Sequence, residues 1–196
     1  MKAPTFLECK ILQRNMKTYK TLFTLNLKDE IEKFTRVDHA GEVGAVQIYK
    51  GQIDAIPEDL TLQEMLDGEI EHYNFFKKEI KNAGIRPSIF LPIWKKLSYA
   101  IGYISARKSR EYAMLCTEAV ESEIEDHYKK QIEDLDLIEE CCSSHKLTSF
   151  KEKIQQFYKD EIHHKNIGHA HGVKNHAVFI GISYITKMAI IISEEL

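Results

Sequence analysis

The sequence predicts an all-α protein, a four-helix bundle with two additional apolar helices. Three observations predict it. Only 9 glycines and 4 prolines occur in 196 residues, too few chain-turning residues for a turn-rich β protein. Four segments repeat apolar residues at the three-to-four spacing of one helix face. Two further segments are unusually apolar along most of their length. At about 150 residues per domain the length corresponds to one domain. It divides into an N-terminal extension, 1–28, peripheral or poorly ordered, and a helical domain, 29–196.

The first amphipathic segment spans 29–53, with its inner stripe at Ile31, Phe34, Asp38, Glu42, Ala45 and Tyr49. The second spans 60–83, with Leu62, Met65, Leu66, Glu69, His72, Tyr73, Phe76 and Ile80. Residues 85–106 form the first apolar segment (Ile89, Phe90, Leu91, Ile93, Trp94, Leu97, Ile101, Ile104), broken by Pro92 and Lys95-Lys96. The third amphipathic segment spans 110–137, through Ala113, Thr117, Val120, Glu121, Ile124, Tyr128 and Leu135. A fourth spans 147–168, through Phe150, Ile154, Phe157, Glu161 and His164. The second apolar segment spans 177–192 and is interrupted by Lys187. A membrane-crossing helix needs about 20 apolar residues. Neither apolar segment reaches that cleanly, so both read as helices lying on a membrane surface, with a core or dimer face as the alternative.

Composition excludes several classes. Lys plus Arg is 27 and Asp plus Glu is 30, giving a net charge of -3. No basic excess is available to displace counterions, so no nucleic-acid partner is expected. Hydrophobic content of 43% is too high for a disordered chain. Four cysteines, two of them adjacent at Cys141 and Cys142, make no disulfide framework and fit a reducing compartment. Residues 1–28 show no apolar run with a small-residue cleavage site, so no secretory signal is expected. Their mild basic character (Lys2, Lys10, Arg14, Lys17, Lys20 against Glu8) is only a weak presequence signal.

The chemistry lies in an anomaly of the stripes. Glu42, Glu69, Glu121 and Glu161 each fall where an apolar residue belongs, and two begin Glu-x-x-His: Glu69–His72 and Glu161–His164. Residues three apart on a helix lie roughly 60° apart on one face. Each pair therefore presents a carboxylate and an imidazole together. A buried carboxylate without a partner is costly, and four in one interior call for a shared partner. One Glu from each of two helices plus Glu-x-x-His from each of the other two is the pattern of ferritin-like di-iron carboxylate bundles. Carboxylates with imidazoles suit iron or manganese better than a thiolate site would. One Glu-x-x-His alone is a weak signal; two, each preceded by a lone stripe Glu on the preceding helix, are specific. His39, His163, His169, His171 and His176 read as surface residues or as residues behind the ligands. Tyr73, Phe76 and Phe157 read as core. His127 and Tyr128 are candidates for a relay beside the metals, with a satisfied core histidine the plainer reading of His127.

Arg36-Val37-Asp38-His39-Ala40-Gly41-Glu42, with Gly44-Ala45 and Ile48-Tyr49-Lys50-Gly51-Gln52, resembles the first helix of the demethoxyubiquinone hydroxylase family. Cys116-Thr117-Glu118-Ala119-Val120-Glu121, with Ile124, His127, Tyr128 and Gln131-Ile132, resembles its third. Asp160-Glu161-Ile162-His163-His164, with Ile167-Gly168, resembles its fourth. The likeness covers about residues 30–196. It implies hydroxylation of a 2-polyprenyl-3-methyl-6-methoxy-1,4-benzoquinol in ubiquinone biosynthesis. The implied cofactors are two iron ions per chain held by Glu42, Glu69, His72, Glu121, Glu161 and His164, with O2 as co-substrate and NADH-derived electrons. Glu69, Glu121 or both are expected to bridge. Asp38 and Asp160 are the expected acceptors that orient His72 and His164. No Gly-x-Gly-x-x-Gly fingerprint accompanies a strand, so no resident nicotinamide domain is expected.

Val43 stands where the family commonly has Tyr, and Val46-Gln47 replaces a more polar pair; these positions are expected to line the substrate pocket. A polyprenyl substrate places the chain at a membrane surface, with Lys95, Lys96, Arg107, Lys108 and Arg110 near anionic headgroups. Expected partners are that substrate, the membrane, and a homo-oligomer or ubiquinone-biosynthesis complex. The cytoplasmic face of a bacterial inner membrane is expected, with the matrix face of the mitochondrial inner membrane as the alternative. The rival reading is a ferritin-like di-iron protein of peroxide or iron handling, which shares the ligands but gives no reason for the two apolar helices.

Overall fold

Six helices follow one another in the computed structural model, which describes residues 16–141 and 144–195. They are α1 (Met16–Ala55), α2 (Leu60–Ala83), α3 (Leu91–Lys108), α4 (Arg110–Cys141), α5 (His145–His171) and α6 (His176–Glu195). Residues 1–15, Cys142 and Leu196, on which some expectations fall, lie outside the described residues. The all-α expectation holds, and each expected segment holds a helix, the first apolar one only from Leu91 onward.

Boundaries follow local chemistry. Asp59 caps α2 by accepting from the Leu62 N–H at 3.2 Å, and Gly84 ends it in the left-handed region at φ 67°. Ser144 caps α5 through the Leu147 N–H in the same way. Pro92 lies in the first turn of α3, where its missing N–H costs nothing, so it starts that helix rather than breaking it. Helix α1 begins at Met16, well before residue 29, because no glycine or proline interrupts residues 16–28.

The helices α1 and α2 form one hairpin and α4 and α5 another. Side chains fill the wider gap between the hairpins. One end of the gap holds an aromatic cluster: Phe75, Phe76, Phe150 and Phe157 lie with ring centroids 5.1–6.2 Å apart. Phe76 and Phe157 are core, as expected, whereas Tyr73 is half-buried and stacks on the buried His39 at 5.8 Å.

The added helices lie outside this bundle. α3 packs mainly on α1, and α6 on α4 and α1. Consequently α1 is buried on nearly all sides between Thr35 and Gln52, and α4 likewise between Ala113 and Glu121. A one-face stripe underestimates such a helix, because the second covering layer comes from a distant segment. Glycine makes the α1–α3 approach close. A Cβ on Gly102 would stand 2.1 Å from the Ile48 carbonyl oxygen, and one on Gly51 would stand 2.3 Å from that of Tyr99.

Between α1, α3, α4 and α6 lies an apolar cavity of about 70 Å³, lined by Gly41, Gly44, Ile101, Val120, Ile182 and Ile190 among others. Val43, Val46 and Gln47 do not line it; the two valines are core residues. Along α1 the cavity takes residues 37, 40, 41, 44, 45 and 48, a different face from the one carrying Val43 and Val46.

Candidate metal centre

Helical spacing puts each predicted ligand on its inner face. α1 supplies Glu42, α2 supplies Glu69 and His72, α4 supplies Glu121, and α5 supplies Glu161 and His164. All six are buried, none more than 6% exposed. They gather into two groups whose donor atoms lie within 4.8 Å of one another: Glu42, Glu69, His72 and Glu161, and Glu69, Glu121, Glu161 and His164. Glu69 and Glu161 belong to both. Of the two glutamates expected as alternatives for the shared position, Glu69 stands in both groups and Glu121 in one. The carboxylates of the two Glu-x-x-His helices meet in the middle, and the lone glutamates sit at the two ends.

The donor atoms fit a metal pair. Eight of them have no hydrogen-bond partner among the described residues: Glu42 Oε2, both oxygens of Glu69, His72 Nδ1, Glu121 Oε2, both oxygens of Glu161, and His164 Nδ1. Buried polar atoms are ordinarily paired, and orphans on this scale in one place mark a missing cationic partner. His72 Nδ1 approaches Glu161 Oε1 at 3.1 Å and Glu42 Oε2 at 3.7 Å, and His164 Nδ1 approaches Glu69 Oε1 at 2.9 Å. Two nitrogens and four carboxylates thus converge on two points.

Without metal, protons take over that role. Burial pushes Glu42 up to about 8 and Glu121 well above the usual carboxylate range, the latter helped by the Glu161 and Glu69 charges. Burial opposes a charge on His72, but Glu161 and Glu42 outweigh it and hold the imidazole up at about 12. Burial likewise opposes His164, yet Glu161 and Glu69 raise it to about 10. Burial works against Glu161 too, but His164 and His72 bring it down to about 2.

Around the ligands the expectations fare differently. Asp160 Oδ2 lies 3.3 Å from His72 Nε2, where it can hold the ring. Asp38 touches neither ligand histidine; it meets His127 Nε2 at 2.9 Å and accepts from Gln131 Nε2 at 2.9 Å. The plainer reading of His127, a satisfied histidine, therefore describes its contacts. Tyr128 donates its hydroxyl to Glu42 Oε1. His163, His169, His171 and His176 are exposed, while His39 is buried. One contact was not anticipated: Tyr49 donates to Glu121 Oε1 at 2.8 Å. A signal for it existed. Tyr49 follows Glu42 by seven residues, as Tyr128 follows Glu121, and Gln52 and Gln131 follow the same glutamates by ten.

The family model described as ubiquinone biosynthesis protein COQ7 matches residues 29–193. The chain belongs to this family. Among COQ7-family relatives, the "NADPH-dependent 3-demethoxyubiquinone 3-hydroxylase, mitochondrial" of Dictyostelium discoideum is 37% identical over 161 residues, 81% of this chain and 72% of that protein. The "3-demethoxyubiquinol 3-hydroxylase" of Rhodospirillum rubrum is 34% identical over 173 residues, 84% of this chain and 78% of that protein. The "5-demethoxyubiquinone hydroxylase, mitochondrial" of Saccharomyces cerevisiae is 34% identical over 182 residues, 85% of this chain and 78% of that protein.

Proposed function

We propose that the chain is a demethoxyubiquinol hydroxylase: a di-iron monooxygenase that hydroxylates the ring of a 2-polyprenyl-3-methyl-6-methoxy-1,4-benzoquinol. The observation that carries this reading is the pair of donor groups sharing Glu69 and Glu161, in a chain whose COQ7-family relatives are named for that hydroxylation. The iron pair, when bound, supplies the reduction of dioxygen by which one oxygen atom enters a ring C–H bond and the other leaves as water. The electrons come from a reduced nicotinamide nucleotide acting from outside the bundle.

The chain's own residues prepare the site. Glu69 and Glu161 would serve both ions. Glu42 with His72 would complete one position, and Glu121 with His164 the other. Four carboxylates balance two divalent cations, which offsets the cost of burying them. Asp160 orients the His72 ring, and Tyr128 and His127 stand at the Glu42 end as the relay candidates. The aromatic cluster around Phe157, whose ring centroid is 4.1 Å from that of His72, keeps bulk water from that end. On the other face of α1 and α4, the apolar cavity takes the quinol ring. Gly41 and Ala45 flank Glu42 there, and Val120 and Ile124 flank Glu121.

Protein reconstituted in iron-replete medium is expected to hold about two irons per chain. Reduction followed by air and a short-chain demethoxyquinol analogue should yield a product heavier by one oxygen atom, read by mass spectrometry. Two irons without that product would sink the hydroxylase reading and leave peroxide or iron handling.

The greasy tail places the cavity mouth on a membrane. Ile93 and Ile104 of α3 are 54% and 67% exposed, and Ile180 and Tyr184 of α6 are 52% and 64% exposed. Residues His176–Glu194 have a mean hydropathy of 1.6, long and apolar enough to cross a membrane by length and composition. Because α6 rests one face on α4 and α1, we read it as lying in the interface. Lys95, Lys96, Arg107 and Lys108 are exposed beside this face, whereas Arg110 is half-buried and turned to Asp59 at 2.5 Å, away from any headgroup. The membrane is the bacterial inner membrane at its cytoplasmic face, or in a mitochondrion the inner membrane at its matrix face. Exposing rather than burying one large apolar side chain costs about 1.5–3 kcal/mol. Ile104→Glu combined with Tyr184→Glu should therefore lower retention on anionic liposomes by about tenfold or more. Unchanged flotation with vesicles would place the membrane contact elsewhere.

A further inference from the structure

The two tyrosines of the centre are arranged crosswise. Tyr49 of α1 donates to Glu121 of α4, and Tyr128 of α4 donates to Glu42 of α1. Each hydroxyl takes the Oε1 atom of its glutamate, and each leaves Oε2 without a hydrogen-bond partner and facing the donor cluster. A carboxylate held by one oxygen presents a single fixed donor with the other. Without that hold it can rotate about its terminal bond, which is a soft twofold torsion.

The surroundings of the two tyrosines differ. Tyr49 is 1% exposed and packs with Leu62, Met65 and Met114. Beyond Glu121 its hydroxyl meets only the Met65 sulfur, at 3.7 Å, among the described residues. Its ring stands edge-on to His164 with centroids 6.1 Å apart. Tyr49 therefore touches both residues that belong to one donor group alone, Glu121 and His164, and neither Glu42 nor His72. Tyr128 instead stands beside His127, which meets Asp38.

We propose that Tyr49 is a positioning residue dedicated to one of the two metal positions: its hydroxyl holds Glu121 as a one-oxygen donor, and this position alone depends on it. The inference rests on the reading that the six side chains hold two ions. The phenol grips a buried carboxylate in a dry pocket, where a hydrogen bond to a charged group is at the strong end of its range. Losing it should weaken that position by about tenfold or more and leave the Glu42–His72 position as it was.

The test is equilibrium dialysis of the metal-free full-length chain against Co(II), with the Co(II) visible absorption recorded at each step. Wild type should take two ions. Tyr49→Phe, which keeps the ring and its volume, should keep one ion at wild-type affinity and lose about tenfold or more on the other. The same substitution made in Glu121→Gln should change the remaining ion's affinity and spectrum not at all. In Glu42→Gln it should weaken the remaining ion by the full factor. Tyr49→Leu makes the same comparison should the phenylalanine variant prove insoluble. Wild-type binding of both ions by Tyr49→Phe would overturn the proposal. So would an equal loss in the Glu121→Gln and Glu42→Gln backgrounds, since a general packing role predicts that result. A wild type that takes no Co(II) would overturn the metal reading itself, and that outcome is distinct from either of these.

Discussion

Glu161→Ala is expected to empty both metal positions in one step. Glu161 stands in both donor groups, so its loss takes a ligand from each ion. Iron content should fall from about two per chain to near zero, and hydroxylation should fall by about three orders of magnitude or more, because the chemistry is the metal pair's. Glu42→Ala provides the contrast. It removes a ligand from one group only, so about one ion should remain while hydroxylation is still lost. The metal-free protein reports separately. In it Glu161 is the shared counter-charge of two protonated imidazoles, His72 and His164. Removing one partner of a buried ionic cluster costs about 3–5 kcal/mol. Thermal melting of metal-free Glu161→Ala should therefore come below wild type. A variant that still makes product would end the ligand assignment. One that melts higher than wild type when metal-free would end this account of the charges.

Loading the site should release about three protons near neutral pH. At pH 7 the metal-free Glu42, at about 8, carries a proton. His72, at about 12, and His164, at about 10, carry theirs as well. All three must shed them to become ligands, so metal affinity rises as pH rises. Stability of the metal-free protein has its own window, and the signs differ by group. His72 and His164 are raised above 6.5, so their stabilisation is fully present below 6.5 and fades as pH climbs through about 10 and about 12. Glu161 is lowered, so its stabilisation is present above 4.5 and fades as pH falls through about 2. Glu42 is raised, so its burial costs nothing below 4.5 and progressively more from there to about 8. The metal-free protein should therefore melt highest near pH 4.5, and lower as pH climbs from there. Calorimetric titration in two buffers of different ionisation enthalpy counts the released protons, and melts at pH 5.5 and 8.5 test the window. No proton release at pH 7, or a higher melt at pH 8.5, would refute this charge state.

The ligand-type residues were legible because helix geometry is local. A residue's face follows from its spacing alone, so a carboxylate in an apolar stripe is visible without any partner in view. Glu42, Glu69, His72, Glu121, Glu161 and His164 were all found this way, and the structure brings all six together. The same locality makes six helical segments legible, although α1 begins thirteen residues before the expected start at 29 and Pro92 starts α3 instead of breaking it.

Contacts between helices were not legible, because they depend on axial register and on which segment covers which. No single stretch of chain carries that information. Tertiary packing decided that Glu161 rather than Glu121 shares the middle with Glu69. It decided that Asp38 serves His127 instead of a ligand, that Arg110 turns to Asp59, and that the tyrosines cross over to the opposite glutamates. It also decided that α1 is covered on a second face by α3 and α6, which makes the apolar cavity. The sequence by itself determined which side chains face inward and what chemistry they can hold. Only the packing of distant helices determined which atom each one meets, because a helix sets the direction of its side chains but not the neighbour that stands there.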